Sequence, residues 1–328
     1  MLARVEAASV PSGELRSTRG FGDRIGDGAL KWLTALAAFL GVLSVFLIIW
    51  RVFDGAWPAI KVFHASFIWN NDWNVTLNKF GARDLIIGTV VTSFGAMLLA
   101  APLSIAIALF LSELAPPSIR GPVGTLIEML AAVPSVVVGL WGIFVLAPFN
   151  AQHVQPFISS FLGWIPIFAN GQDKVESTVF TAIIVLTIMT IPITSSICRE
   201  LFIGVPTDLE EASVGLGATR WEMVKTVVVP SVKGGVVAAV ILGLGRALGE
   251  AIAVTQVIGN FIPLHRSIFE PGDTLASRTA NQFQGAITGL QIASLLYLGF
   301  ILLVITFITN FFAQRIVKRF EFQRSGGG

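Results

Sequence analysis

The sequence predicts an all-α polytopic membrane protein of six transmembrane helices, and three observations carry that prediction. The 328 residues are 54% hydrophobic and only 13% charged, against about 25% charged in a soluble domain. Mean hydropathy is +0.78. Apolar runs near the roughly 20 residues that cross a bilayer recur at about 32–53, 85–112, 122–148, 177–198, 235–262 and 286–313. The net charge of +2 supplies no strongly basic face for a nucleic acid, and the single cysteine, Cys198, excludes an intramolecular disulfide framework and a multi-cysteine metal site.

Residues 1–30 mix both charge signs with Gly, Ser and Pro and are expected to form a mobile cytoplasmic tail. The first run continues into Trp50 and Arg51 with no small-residue cleavage site, so it reads as an uncleaved span and not a signal peptide. The segment 54–84 carries Trp57, Trp69 and Trp73. Tryptophans there suit a membrane-interface belt, with a docking surface for an outer partner as the alternative. The third run contains Pro134 and Gly139, which makes it the one run that reads alternatively as a re-entrant hairpin. The transmembrane domain is expected over 31–314, with a short cytoplasmic tail at 315–328.

Lysine and arginine counts orient the chain. With the N-terminus inside, fourteen fall on cytoplasmic segments: Arg4, Arg16, Arg19, Arg24, Lys31, Arg120, Arg199, Arg220, Lys225, Lys233, Arg315, Lys318, Arg319 and Arg324. Seven fall outside: Arg51, Lys61, Lys79, Arg83, Lys174, Arg266 and Arg278. Both termini are therefore expected in the cytoplasm.

The one substantial internal loop, 199–234, predicts two short helices. Thr207 with Glu210 and Thr219 with Glu222 have capping-box spacing. Gly215 and Gly217 supply a turn between them, and Pro230 is expected to end or kink the second helix. Leu209, Val214, Leu216, Trp221 and Met223 give these helices apolar residues that a solvated connector does not require, so a surface or partner is expected to cover them. The basic face of a DNA-binding helix-turn-helix is missing.

Apart from Arg51 at the outer end of the first run, three charged residues fall inside the runs: Glu128, Arg246 and Glu250. Glu128 sits near the cytoplasmic end of run three, within reach of the interface. Arg246 is roughly 17 Å along run five at 1.5 Å per residue, near mid-membrane, where insertion costs about 2.5–3.5 kcal/mol. On a continuous helix Glu250 would share its face at i+4. One reading is a self-neutralising structural bridge. The other is a guanidinium lining the path of an oxyanion, with Glu250 as the counter-charge that holds it between passages. Gly245 and Gly249 form a small-xxx-small pair suited to close helix contact. Gly243, Gly245 and Gly249 do not have the spacing of a dinucleotide fingerprint, and the chain has no G-x-x-x-x-G-K-[ST] phosphate loop. His64, His153 and His265 form no ligand cluster, no metal site is expected, and no nucleophile–base constellation supports an enzyme.

The stretch EASVGLGATRWEMVKTVVVP (211–230) resembles the loop of binding-protein-dependent ABC importer permeases. That pattern is Glu-Ala-Ala, three residues, Gly, nine residues, Ile, one residue, Leu-Pro. Glu211, Ala212, Gly217 and Pro230 match it, with Ser213, Val227 and Val229 as small or aliphatic replacements. GRALGEAIAV (245–254), EMLAAVPSVVVGLWGIFVLAP (128–148) and NKFGARDLIIGTVVTS (78–93) are similar to the phosphate-specific members of PstC type, over about 30–315. Ala251 departs from the Thr expected after Gly-Glu.

The resemblance implies a type I ABC importer permease in a bacterial inner membrane. It implies a second permease (PstA-like), two copies of a cytoplasmic ATPase (PstB-like) and an outer phosphate-binding protein (PstS-like). ATP and magnesium would be bound by the ATPase, with no cofactor in this chain. Glu211, Ala212, Gly217, Arg220 and Pro230 would couple to that ATPase, and Arg246 and Glu250 would line the substrate pathway. His265, Arg266 and Arg278 are read either as interfacial residues or as an anion-recruiting or docking group. Guanidinium chemistry alone admits sulfate and molybdate as well as phosphate. A gradient-driven anion carrier or channel is the remaining alternative, and it would leave the helices of 207–230 without a purpose.

Overall fold

The computed structural model describes residues 21–169 and 175–325. Residues 1–20 of the N-terminal tail, with Arg4, Arg16 and Arg19, lie outside the described residues, as does Lys174. Among the described residues, six helices are long and apolar enough to cross a membrane: Gly28–Phe63, Arg83–Leu114, Ser135–Leu162, Val179–Ile203, Arg220–Gly249 and Gly289–Arg315. The chain forms two units, residues 1–51 and 52–328. The first ends within helix α1 (Phe21–Phe63), which starts inside the segment expected as tail.

From Val52 onward the elements follow in order. The short α2 (Ser66–Trp69) leads to a two-stranded antiparallel hairpin, β1 (Trp73–Asn74) and β2 (Lys79–Phe80), in register Trp73 to Phe80. Helix α3 (Arg83–Leu109) ends in a wide π-turn, Phe110–Leu114, followed by α4 (Pro117–Ala131). The third span is α5 (Ser135–Trp141), α6 (Ala147–Phe149) and α7 (Gln155–Leu162), joined by π-turns at Gly142–Leu146 and Asn150–Val154. Helix α8 (Val179–Ile203) is followed by α9 (Thr207–Gly215) and α10 (Arg220–Met223). A π-turn at Val224–Val228 joins α10 to α11 (Val229–Gly249). Then come α12 (Ile252–Val257), α13 (Leu275–Gln282) and α14 (Gly289–Ser325).

Three runs differ from expectation. The helix of run one continues past 53 to Phe63, into the segment read as an outer loop. Run three does not pass through Pro134. The proline takes the N-cap position of α5 in extended conformation, φ −58 and ψ 135. It also disfavours helical backbone at the residue before it. Glu128 therefore lies on α4, outside the spanning helix, where it pairs with Arg199 at 3.6 Å. Run five is displaced toward the loop: its helix starts at Arg220 and stops at Gly249, so the apolar residues beyond belong to α12 and its flanks.

The centre is the contact of α3 with α8, against which α11 packs. The buried face of α3 is small and hydroxyl-rich: Gly88, Thr89, Thr92, Ser93, Ala96, Ala100 and Ser104. Small residues let helices approach closely in lipid, where packing and hydrogen bonds replace the hydrophobic drive. Thr89 and Thr92 donate to the carbonyls of Leu85 and Gly88 at 2.7 and 2.8 Å. On α8, Thr187 donates to Ile183 and Thr190 to Leu186 at 2.7 and 2.8 Å. Two bonds cross between the helices at 3.3 Å, Thr187 to the Ala96 carbonyl and Ser104 to that of Ile191. In α11 the close glycine is Gly243, whose Cβ would lie 2.6 Å from Thr194 Oγ1 and 3.4 Å from Met97 Sδ. Gly245 and Gly249 have open space at that position, so the expected small-xxx-small contact is not made among the described residues.

The end of the bundle near the hairpin is fixed by a buried ion pair. Asp273 and Arg278 are 2.6 Å apart, with side chains 0% and 8% exposed. Burial pushes the Asp273 carboxyl up, and the Arg278 charge and the Thr274 N–H oppose it. Arg278 also lies over the Trp73 ring at 5.7 Å, and Trp73 Nε1 donates to Gln282 at 2.8 Å. Trp73 is thus a packing residue of the hairpin and not part of a membrane belt, whereas Trp57 and Trp69 are exposed. Arg278 is likewise withdrawn from anion recruitment, and His265 pairs with Glu270 at 3.0 Å. Arg266 is exposed.

Asp273→Ala is expected to lower stability by about 3–5 kcal/mol, because it strands the Arg278 charge. The check is the thermal midpoint of the purified protein, with Asp273→Ala/Arg278→Leu recovering most of the loss. Gly243→Ala is expected to cost about 1–3 kcal/mol by overpacking, while Gly245→Ala is neutral or gains up to about 1 kcal/mol from helix propensity. The same melting measurement separates the two.

Candidate functional site: a polar cavity and an exposed loop

Arg246 sits in the last turn of α11, and Glu250 follows the helix end in extended conformation, φ −71 and ψ 117. This corrects the pairing read from spacing. The helix has stopped before position i+4, so the two side chains do not share a helical face. The Glu250 carboxylate instead accepts from the Ala253 N–H at 3.3 Å, at the start of α12. Among the described residues, Arg246 has neither an ion pair nor a hydrogen bond. The free carbonyls at a helix C-terminus carry partial negative charge, which favours a cation in that turn.

Both residues line one broad, open cavity of about 650 Å³ on α8, α11 and α14, together with Ile193, Leu242, Gly245, Gly249, Thr306 and Asn310. The two glycines keep that space open. Sequence reasoning brought Arg246 and Glu250 to this site and missed Thr306 and Asn310. Their signal was present: two polar residues four apart in ITFITNFF, within a run that is otherwise apolar. The wall is thus a guanidinium, a hydroxyl, an amide and a carboxylate set in apolar helices. Convergent polar groups in an apolar cavity are the chemistry of a ligand site. A guanidinium with free donors binds oxyanions. Among the described residues, no group of three or more His, Cys, Asp or Glu is placed to hold a metal.

The second feature is the loop between spans four and five. Thr219 forms the complete capping box: its hydroxyl accepts from the Glu222 N–H at 3.3 Å, and Glu222 accepts from the Thr219 N–H at 2.8 Å. The first expected box does not form. Pro206 takes the N-cap position of α9, so Thr207 is already inside the helix and its hydroxyl caps nothing. Gly217 has φ +94, the left-handed conformation that the turn requires. Pro230 neither ends nor sharply breaks the helix. The preceding π-turn, closed by the Val229 N–H to the Val224 carbonyl, absorbs it.

Met223, Val224 and Val228 pack with Cys198 and Phe202, whereas Leu209, Val214, Leu216 and Trp221 are exposed, Leu216 at 91%. Glu211, Ala212 and Arg220 are exposed beside them. The Glu210 carboxyl is pushed up by burial and then by the charges of Glu113 and Glu211. The loop therefore offers apolar side chains ringed by charge, on a helix pair anchored at both ends.

Residues 100–322 match the family described as the binding-protein-dependent transport system inner membrane component. The phosphate transport system permease protein PstC of Pasteurella multocida is 41% identical over 312 residues, 93% of this chain and 97% of that protein. PstC 2 of Mycobacterium tuberculosis is 38% identical over 299 residues, 89% of this chain and 92% of its own length. Among solved structures, a bacterial alginate ABC transporter chain aligns with a TM-score of 0.58 at 18% identity, covering 89% of this chain and 98% of that one. A chain of the inward-facing MetNI methionine ABC transporter aligns with a TM-score of 0.53 at 17% identity, covering 73% and 95%. The six spans, the anchored helix pair and these matches agree: the chain belongs to the inner-membrane permease components of binding-protein-dependent ABC transport systems.

Proposed function

We propose that this chain is the pore-forming permease subunit of an ATP-driven inorganic phosphate importer, and that it passes phosphate from an outer binding protein to the cytoplasm. The observation that carries this is the unpaired Arg246 guanidinium at the cavity of a permease whose relatives are phosphate permeases. Phosphate oxygens match the planar fork of donors that Arg presents. Glu250, close in sequence and on the same cavity, keeps the region from holding a permanent excess of positive charge. An anion that meets such a wall is attracted without being trapped.

The transport cycle is alternating access. This chain pairs with a second permease, and two ATPase copies sit on the cytoplasmic side, which also holds both termini. The exposed side chains of α9 and α10, with Glu211, Ala212, Gly217 and Arg220, seat in the ATPase. Closure of the ATPase on ATP moves that helix pair, and the continuous path through the π-turn and Pro230 carries the movement into α11, where Arg246 resides. ATP and magnesium are held by the ATPase.

Arg246→Ala is expected to lower phosphate uptake by about tenfold or more, since a hydrogen bond to a charged group contributes about 1.5–3 kcal/mol and about 1.4 kcal/mol is tenfold. Arg246→Lys retains part of the rate, and the Arg246→Glu/Glu250→Arg exchange does not restore it. Radiolabelled uptake with an assembly control reads all three, and full recovery by the exchange would make the pair structural. Trp221→Ala and Leu216→Asp are expected to release the ATPase, with a loss of about 2 kcal/mol or more for an exposed aromatic that the interface buries. Co-purification of the ATPase with the tagged permease checks this.

A further inference from the structure

The cavity at Arg246 has a second wall that the transport mechanism has so far left unused. Thr306 and Asn310 are four residues apart on α14, hence on one face of that helix, and both line the cavity. Their neighbours Ile305, Phe307, Ile308 and Phe311 are apolar. Four threonines of the central helices close their hydroxyls onto their own backbone: Thr89, Thr92, Thr187 and Thr190 each donate to the carbonyl four residues earlier, while the buried Thr194 hydroxyl against Gly243 does not. Among the described residues, the Thr306 hydroxyl and the Asn310 amide have no hydrogen-bond partner. Unsatisfied polar groups are costly in an apolar span, and in membrane proteins they are kept where they line a cavity or a path.

We propose that Thr306 and Asn310 are substrate-contacting residues that complete the oxyanion site opposite Arg246. The proposal rests on the reading of this chain as an oxyanion permease. Its chemical basis is complementarity. The Arg246 guanidinium only donates, and the ionised Glu250 only accepts. A hydroxyl and a carboxamide each do both. Hydrogen phosphate needs donors for its bare oxygens and an acceptor for its P–OH, whereas sulfate has no hydrogen to offer. The α14 pair supplies both functions without adding a net charge to the passage, so the anion is held by neutral groups while it leaves the guanidinium.

The test compares side chains of like shape and unlike chemistry in the assembled complex. Thr306→Val and Asn310→Leu remove the polar atoms, while Thr306→Ser and Asn310→Gln keep them. Phosphate uptake is expected to fall about tenfold in the Val and Leu forms and to stay within about twofold of wild type in the Ser and Gln forms. Uptake within about twofold in the Val and Leu forms overturns the proposal. So does a loss in the Ser and Gln forms equal to that in Val and Leu, because a packing role follows volume and not hydrogen bonding. If Asn310→Leu fails to co-purify with its partners, the Thr306→Val against Thr306→Ser comparison decides. A wild-type complex that imports sulfate and not phosphate overturns the phosphate reading instead, and the same four variants measured with sulfate then decide the role of Thr306 and Asn310.

Discussion

Lipid offers no hydrogen bonds, so each polar group in a span must find its partner within the protein or face an enclosed wet space. The contact of α3 with α8 meets this constraint in the simplest way. Threonine hydroxyls bond back to their own helices, leaving the small-residue face of α3 free to approach the larger apolar side chains of α8 closely. Helix α11 then docks on this pair through Gly243, with Thr194 and Met97 against it. Three polar groups that are not satisfied this way, on Arg246, Thr306 and Asn310, share a cavity, whereas the Ser93 and Thr194 hydroxyls are buried without a hydrogen-bond partner among the described residues. Tight packing on one side of α11 and open space at Gly245 and Gly249 on the other are two consequences of glycines only a few positions apart.

Much of the fold was legible because a long apolar run bounded by charge has few physical solutions. Spans two, four and six begin and end close to where composition placed them. Spans three and five did not, for a shared reason: hydropathy does not register a helix end that falls inside an apolar run. Pro134 divides one such run, and the stop at Gly249 divides the other. That stop also explains the error at Arg246 and Glu250. An i, i+4 argument holds only if the helix persists, and here it ends one residue before the second partner. Conversely, Thr219 and Glu222 were read correctly, since a capping box is a local bargain between neighbouring backbone and side-chain groups. The failed box at Thr207 shows its limit, as Pro206 had already taken the capping position.

The ion pair of Asp273 with Arg278 lay beyond sequence reasoning because its environment is tertiary. Nothing local marks Arg278 as buried, and the Trp73 ring it lies against comes from the hairpin, far earlier in the chain. The same holds for Thr306 and Asn310. Their spacing was visible, but that they share a cavity with Arg246 depends on how α14 crosses α11.

The π-turn at Val224–Val228 has a geometric consequence for the whole 220–249 helix. A π-turn closes one residue later than an α-turn, and one residue of α-helix advances about 100° around the axis. The two ends of this helix are therefore out of phase. Residues that a straight helical wheel would align, one near Trp221 and one near Arg246, lie about 100° apart in azimuth. The wide turn acts as an angular offset between the surface that α10 shows to the loop side and the surface that α11 shows to the cavity. A chain shortened by one residue between 224 and 228 would keep its apolar composition, yet it would turn a different side of α10 outward.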